Sequence, residues 1–344
     1  MDANSNRPIP GGEAIPSTPS EPPKLPTPST APIQRSIKRG SNNFLSGFIG
    51  YKKHLGLTLM FIPVIIYFIV FRYVPMYGIT LAFKNYRFNL GIMGSPWVGL
   101  EHFRDLFQFR TFTRAFRNTI IISMLKLVIG FPMPVILALI LNEVRHVRFK
   151  KIVQTISYLP HFLSWVVLAG VFIQLFSPYS GAVNYVLGLF GIEPIYFLGE
   201  NKWFRTILVA TSIWKDVGWG SIVYLAAITG IDLSMYEAAI CDGATRFQRM
   251  WNITLPCIMP TITIFLIMNI GHLLDAGFDQ IFNLYNGAVY ETADIIDTYV
   301  YRMGLGDMKY SLATAVGLFK NGIGFILVVS ANFVTKKIGD TGIW

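Results

Sequence analysis

A chain of 344 residues that is 53% hydrophobic and only 14% charged lies well off the mix of a soluble domain. Its mean hydropathy of +0.48 points to a membrane protein. The net charge of +10 does not mark a nucleic-acid binder, because the basic residues form no stripe interleaved with aromatics and gather near the ends of apolar runs.

Residues 1–50 form a Pro-, Ser- and Thr-rich tail, with Pro8, Pro10, Pro16, Pro19, Pro22, Pro23, Pro26, Pro28 and Pro32. Such a composition cannot bury a core, so an extended, disordered cytoplasmic tail is expected. It lacks the apolar core of a cleavable signal peptide. Basic residues (Arg35, Lys38, Arg39, Lys52 and Lys53) then gather ahead of the first apolar run.

The remainder, 51–344, holds six apolar stretches of near the ~20 residues that a spanning helix requires. They fall at about 55–75, 118–141, 152–176, 204–230, 257–280 and 311–335, the fourth interrupted by Lys215-Asp216 and the sixth by Lys320-Asn321. The expected fold is all-α, six transmembrane helices with both termini on one face. Arg145, Arg148, Lys150 and Lys151 between spans two and three, and Lys336-Lys337 after span six, mark that face as cytoplasmic.

The segment 77–117 on the other side carries Lys84, Arg87, Arg104, Arg110, Arg114 and Arg117 against Glu101 and Asp105. Two readings stand: an interfacial amphipathic helix over LEHFRDLFQ with its aromatics inward, or a cationic surface that attracts an acidic substrate or its carrier. Asp294 and Asp297, between spans five and six, read as surface charge.

Ionisable groups inside spans usually face a cavity or a partner. At a rise of about 1.5 Å per residue, Lys126, Lys320 and Lys215 fall roughly 10, 13 and 16 Å below the outer helix ends. A shared polar cavity is expected there, although each lysine alone could snorkel outward. Asn269 and His272 fall one turn apart on span five, with Asp275 continuing the line. Trp214, Asp216 and Trp219 on span four and His161 and Trp165 on span three add aromatic faces and hydrogen-bonding groups. That mixture suits a pyranose, with the lysines pairing uronate carboxylates; the competing reading is packing for the tryptophans and a stabilising Asp216–lysine pair.

The loop 231–256 between spans four and five contains EAAICDGATRFQRMWNITLP over 237–256. Glu237, Ala238 and Ala239 favour a short helix up to Cys241. Gly243 should end or bend it, and a second piece from Thr245, carrying Arg246 and Arg249, should run to Asn252 before Pro256 interrupts it. Cys241 and Cys257, the two cysteines of the chain, are expected to be free thiols.

The spacing Glu237-Ala238-Ala239, Gly243, Ile253-Thr254-Leu255-Pro256 resembles the loop shared by permease subunits of ABC importers. Pro75-Met76-Tyr77-Gly78, Ala82-Phe83-Lys84-Asn85-Tyr86 and Ser95-Pro96-Trp97-Val98-Gly99-Leu100-Glu101-His102-Phe103 resemble the sugar-importing branch, nearest the alginate and aldouronate systems. The resemblance covers about 55–335. It implies a type I importer permease of the inner membrane that moves oligosaccharide, acidic in that subgroup, by alternating access. It also implies a second similar permease chain, two ATPase subunits that hold ATP and Mg, and an extracytoplasmic solute-binding protein. Glu237 would contact the ATPase, Ala238 and Ala239 would pack in its cleft and Gly243 would make the elbow, while Asp242, Arg246 and Arg249 would either anchor its rim or stand as solvated charge.

No G-x-x-x-x-G-K-[ST] loop, H-E-x-x-H, nucleophile elbow or Cys/His metal spacing occurs, so no ATP site, cofactor or catalysis is expected on this chain. A permease for a neutral sugar is one alternative. Another is an ion-coupled transporter with Lys126, Lys215-Asp216 and His272 as a proton relay, but no repeat of the first three spans is evident in the last three.

Overall fold

The computed structural model describes residues 55–339. The tail 1–50 and the basic cluster through Lys53 lie outside the described residues. A division of the chain into two units falls after Ile65, inside the first helix, α1 (Leu55–Phe68). Regular structure among the described residues is helical, apart from an isolated bridge between Lys84 and Trp97.

Among the described residues, four continuous helical runs are long and apolar enough to cross a membrane, and two bent pairs bring the number to six if each pair is one span. The second run joins α3 (Arg110–Leu125) to α4 (Pro132–Glu143). The fourth span is α8 (Asn201–Thr229), unbroken through Lys215-Asp216. The fifth ends in α10 (Leu255–Gly271), and the sixth is α13 (Tyr310–Gly339), unbroken through Lys320-Asn321.

Prolines shape three of these runs in one way. A π turn over Ile69–Tyr73 precedes Pro75, one over Lys126–Gly130 precedes Pro132, and one over Met250–Thr254 precedes Pro256. In each, the residue before the proline donates five residues back: Val74 to Ile69, Phe131 to Lys126, Leu255 to Met250. Proline lacks a donor and its ring crowds the carbonyl four residues earlier; a wider turn relieves both. The expectation that Pro256 interrupts the helix is therefore corrected, since the helix runs from Arg246 to Gly271.

Two other expectations are corrected. The stretch 152–176, expected as the third span, is not one helix: α5 (Val147–Tyr158) meets α6 (Trp165–Leu175) at 105° across a 3-10 turn, Leu159–Phe162. Pro160 removes a helical donor there, and Ser164 restarts the chain by accepting the Val167 N–H. The fifth helix stops at Gly271 rather than 280, with His272 as its cap; the chain then turns into α11 (Phe278–Leu284).

Packing centres on α8. Phe204, Ile207 and Leu208 join Ile122 of α3, Phe172 of α6 and Ile281 of α11 in one core. Further along, Tyr224 and Ile228 meet Val135 and Ala138 of α4 and Ile258 of α10. A third core joins α2 (Glu101–Leu106) and α3 to α12 (Ile296–Tyr301) and α13 through Leu106, Phe112, Tyr299 and Val316. The helix expected over LEHFRDLFQ is thus only α2, with Leu106 buried and Phe103 half-buried against Phe83, while Phe107 remains 57% exposed.

The segments Phe83–Tyr86 and Ser95–Phe103 pair with each other: Asn85 donates to the Pro96 carbonyl (2.9 Å), Val98 to that of Phe83 (2.9 Å), and Phe83 stacks on Trp97. Asp294 is not surface charge. It is fully buried, held by both guanidinium arms of Arg302 (3.1 and 2.8 Å) and by Thr298 (2.8 Å). This hydrogen-bonded carboxylate raises Arg302 above its ordinary value.

Where α5 crosses α8, Gly218 allows contact that no side chain permits: a Cβ there would lie 2.1 Å from the Ser157 carbonyl oxygen. Gly218→Val should cost about 1–3 kcal/mol or more as overpacking and lower the melting temperature of the purified protein. Gly188→Ala, where a Cβ meets open space, should leave melting unchanged.

Candidate functional site

A cavity of about 500 Å³ opens among α3, α4, α8, α10 and the broken third span. Of the residues expected on a polar path, Lys126, His161, Asp216, Trp219, Asn269 and His272 line it. An adjoining cavity of about 420 Å³ shares His272 and Asp275 and adds Lys320.

The most organised feature of the wall is built by α8. Trp219 lies three residues after Asp216, so both project from one face of the helix. The His161 ring stacks on Trp219 (centroids 4.7 Å apart, planes within 2°), and its Nδ1 lies 2.9 Å from an Asp216 oxygen. Trp219 remains 44% exposed, which leaves apolar ring surface beside a His–carboxylate pair. A second such pair, His272 Nδ1 with Asp275 Oδ2 at 3.0 Å, stands at the cap of α10.

The expected free lysines are not free. Lys126 Nζ donates to the Ala276 carbonyl (2.8 Å) and Gln280 Oε1 (2.6 Å); Gln280 in turn donates to the Leu208 carbonyl and to Thr211 Oγ1. Lys320 pairs with Asp275 and, at 2.6 Å, with Asp297. Lys215 does not reach the cavity at all. It is buried and donates to the carbonyls of His161 and Leu163 at the break in span three. Trp165 and Trp214 are likewise outside the lining: Trp165 lies beneath the Lys215 ammonium (5.7 Å), and Trp214 packs edge-on against Phe172. The lysine partner weighed for Asp216 is replaced by His161. The three lysine corrections have one cause: a buried ammonium takes the nearest oxygens, and hydropathy does not show which oxygens those are. Gln280 carried no sequence signal beyond being polar near the end of an apolar run.

The loop 231–256 projects separately. Asp232 caps α9 (Leu233–Cys241), accepting the Ser234 N–H at 3.0 Å, which holds its carboxyl below the usual range. Gly243 follows at φ +75°, and Thr245 with Gln248 forms a capping box that starts the short helix Arg246–Arg249. α9 leaves α8 at 74°. Glu237, Ala238, Asp242, Gly243 and Arg246 are exposed and Ala239 is half-buried. Tyr236 Oη meets Thr254 Oγ1 at 2.8 Å, tying α9 to the base of span five. Cys241 and Cys257 are free and exposed.

Residues 130–340 match the family of binding-protein-dependent transport system inner membrane components. The chain belongs to that family. It is 48% identical over 288 residues to the polygalacturonan/rhamnogalacturonan transport system permease protein YteP of Bacillus subtilis (strain 168), covering 84% of this chain and 90% of that one. It is 44% identical over 300 residues to protein LplB of the same organism, covering 87% and 94%. A crystal structure of a bacterial ABC transporter involved in the import of the acidic polysaccharide alginate superposes with a TM-score of 0.80 at 45% identity, over 86% of this chain and 99% of that one. This ABC permease is a multi-pass, all-α inner-membrane component of a binding-protein-dependent transport system, a translocation subunit rather than an enzyme.

The Lys320 network supplies a test. Lys320→Met would leave Asp275 and Asp297 without their shared cation, at a cost of about 1–2 kcal/mol once their partial exposure is discounted from the buried-pair value. The permease should melt at lower temperature, and Asp297→Asn in the same chain should recover part of the loss. Unchanged melting with lost uptake would instead make Lys320 a substrate group.

Proposed function

We propose that this permease pairs with a second, homologous permease chain and two ATPase subunits to import an acidic oligosaccharide by ATP-driven alternating access. Its termini face the cytoplasm, as does the loop 231–256. The observation that carries this reading is the exposed elbow of that loop, with Gly243 at φ +75° and Ala238 and Ala239 presenting small side chains beside Glu237. A bent knob outside the bundle, tied by Tyr236 to Thr254 at the base of span five, suits a cleft on another protein. Force on α9 would pass along α8 and through the Tyr236 contact to α10, two helices that wall the cavity. In this reading the loop is a two-state element that nucleotide binding on the ATPases biases.

The acidic substrate is supported by kinship with the polygalacturonan/rhamnogalacturonan and alginate systems. The cavity lysines do not carry it, because Lys126 and Lys320 are already held by protein oxygens. What the wall offers a sugar is the Trp219 face, the His161–Asp216 pair, Asn269, and the His272–Asp275 pair: ring surface for C–H faces and partners for hydroxyls.

Copurification should bring down two ATPase subunits and one other permease. Reconstituted with its solute-binding protein, the importer should take up trigalacturonate and not maltotriose. Gly243→Val forces a branched side chain into the left-handed region, a strain of about 1–3 kcal/mol. It should either release the ATPases or let them hydrolyse ATP without uptake. An assembled, fully coupled Gly243→Val importer would remove the assignment of the elbow.

A further inference from the structure

We infer that Lys215 is a positioning residue for transport: it holds the broken turn of span three against α8 and so fixes His161 flat on Trp219 in the cavity wall. The inference rests on the reading of that cavity as the saccharide path.

The turn 157–163 is gripped by four positions within five residues of one helix, 215, 216, 218 and 219. The Lys215 ammonium donates to the carbonyls of His161 (2.7 Å), Leu163 (2.9 Å) and Pro160 (3.4 Å). Asp216 takes the His161 ring nitrogen, Gly218 lets the Ser157 backbone approach, and Trp219 stacks on the His161 ring. Carbonyls turned out of a helix at membrane depth must be met by a protein donor or by cavity water, and those that face α8 here meet the buried ammonium. An ammonium has three donors and no acceptor, which matches three converging carbonyls. The side chain is 7% exposed and its charge lies over the Trp165 ring, so it is fully committed to the break.

The consequence for His161 is geometric. Its own carbonyl is held by Lys215 while its ring is held by Asp216 and Trp219, so backbone and side chain are fixed from a single helix. Without the ammonium, the backbone of residues 160–163 loses its anchor while Asp216 and Trp219 remain. His161 then leaves the plane of Trp219, although every group that faces the cavity is still present.

The test is a double-mutant cycle in the complete importer, reconstituted with its solute-binding protein and supplied with labelled trigalacturonate. Gel filtration establishes assembly. His161→Ala and Lys215→Met should each slow uptake by roughly tenfold, equivalent to ~1.4 kcal/mol. Lys215→Met, His161→Ala together should be no slower than the worse single variant, because the lysine acts through the histidine. If Lys215→Met does not assemble, Lys215→Gln, whose shorter side chain and two amide N–H donors cannot hold all three carbonyls, takes its place in the cycle. Losses that multiply to roughly a hundredfold would overturn the positioning role and leave the cavity reading intact. So would failure of both lysine variants to assemble, since the lysine would then serve folding. Full uptake by His161→Ala would sink the cavity reading itself.

Discussion

Backbone polar groups released inside an apolar environment must find partners within the protein, and much of this structure answers that demand. Three prolines are accommodated by π turns that shift a donor five residues back. The sharper break in span three lies beyond such local repair, and a lysine from the neighbouring helix supplies the donors. The long, straight α8 is therefore the reference frame of the bundle. It carries the cores on its flanks, the clamp on span three, the tryptophan of the cavity wall, and at its end the bend into α9.

The same logic sets the electrostatics of the cavity. Lys126 meets Gln280 and a carbonyl, and Lys320 meets two carboxylates. What remains open are two histidine–carboxylate pairs and an aromatic face. A surface of that kind is what the proposed saccharide path requires: many modest contacts that grip a sugar and let it go again. At the other end of the bundle, Asn118 donates to the Glu291 and Asp294 carbonyls while Arg205 reaches Asn118 and the Thr292 carbonyl. The loop between spans five and six is thereby fastened to the starts of α3 and α8.

Legibility in the sequence followed the range of the interactions. The helix–glycine–helix elbow over 237–256 was readable because propensity, a capping residue and a positive-φ glycine all act within a few residues. The pairing of Phe83–Tyr86 with Ser95–Phe103 was not, although both segments stood out, because pairing is a relation between distant residues. Pro256 misled because its missing donor is visible in sequence whereas the compensating π turn is not. Asp294 misled because a carboxylate in a loop looks solvated until Arg302 and Thr298 close around it.

By itself, the sequence determined that this is a helical membrane protein and that a helix–glycine–helix elbow stands between the fourth and fifth apolar stretches. Hydropathy, turn chemistry and local spacing suffice for those conclusions. Only the tertiary structure decided what each of these ionisable groups does: Lys126 hydrogen-bonded to neutral oxygens and Lys320 ion-paired at the cavity edge, Lys215 withdrawn to the break in span three, His161 brought flat onto Trp219. A buried charge is defined by the oxygens it finds, and those oxygens lie on other helices, up to 154 residues away for Lys126 and Gln280.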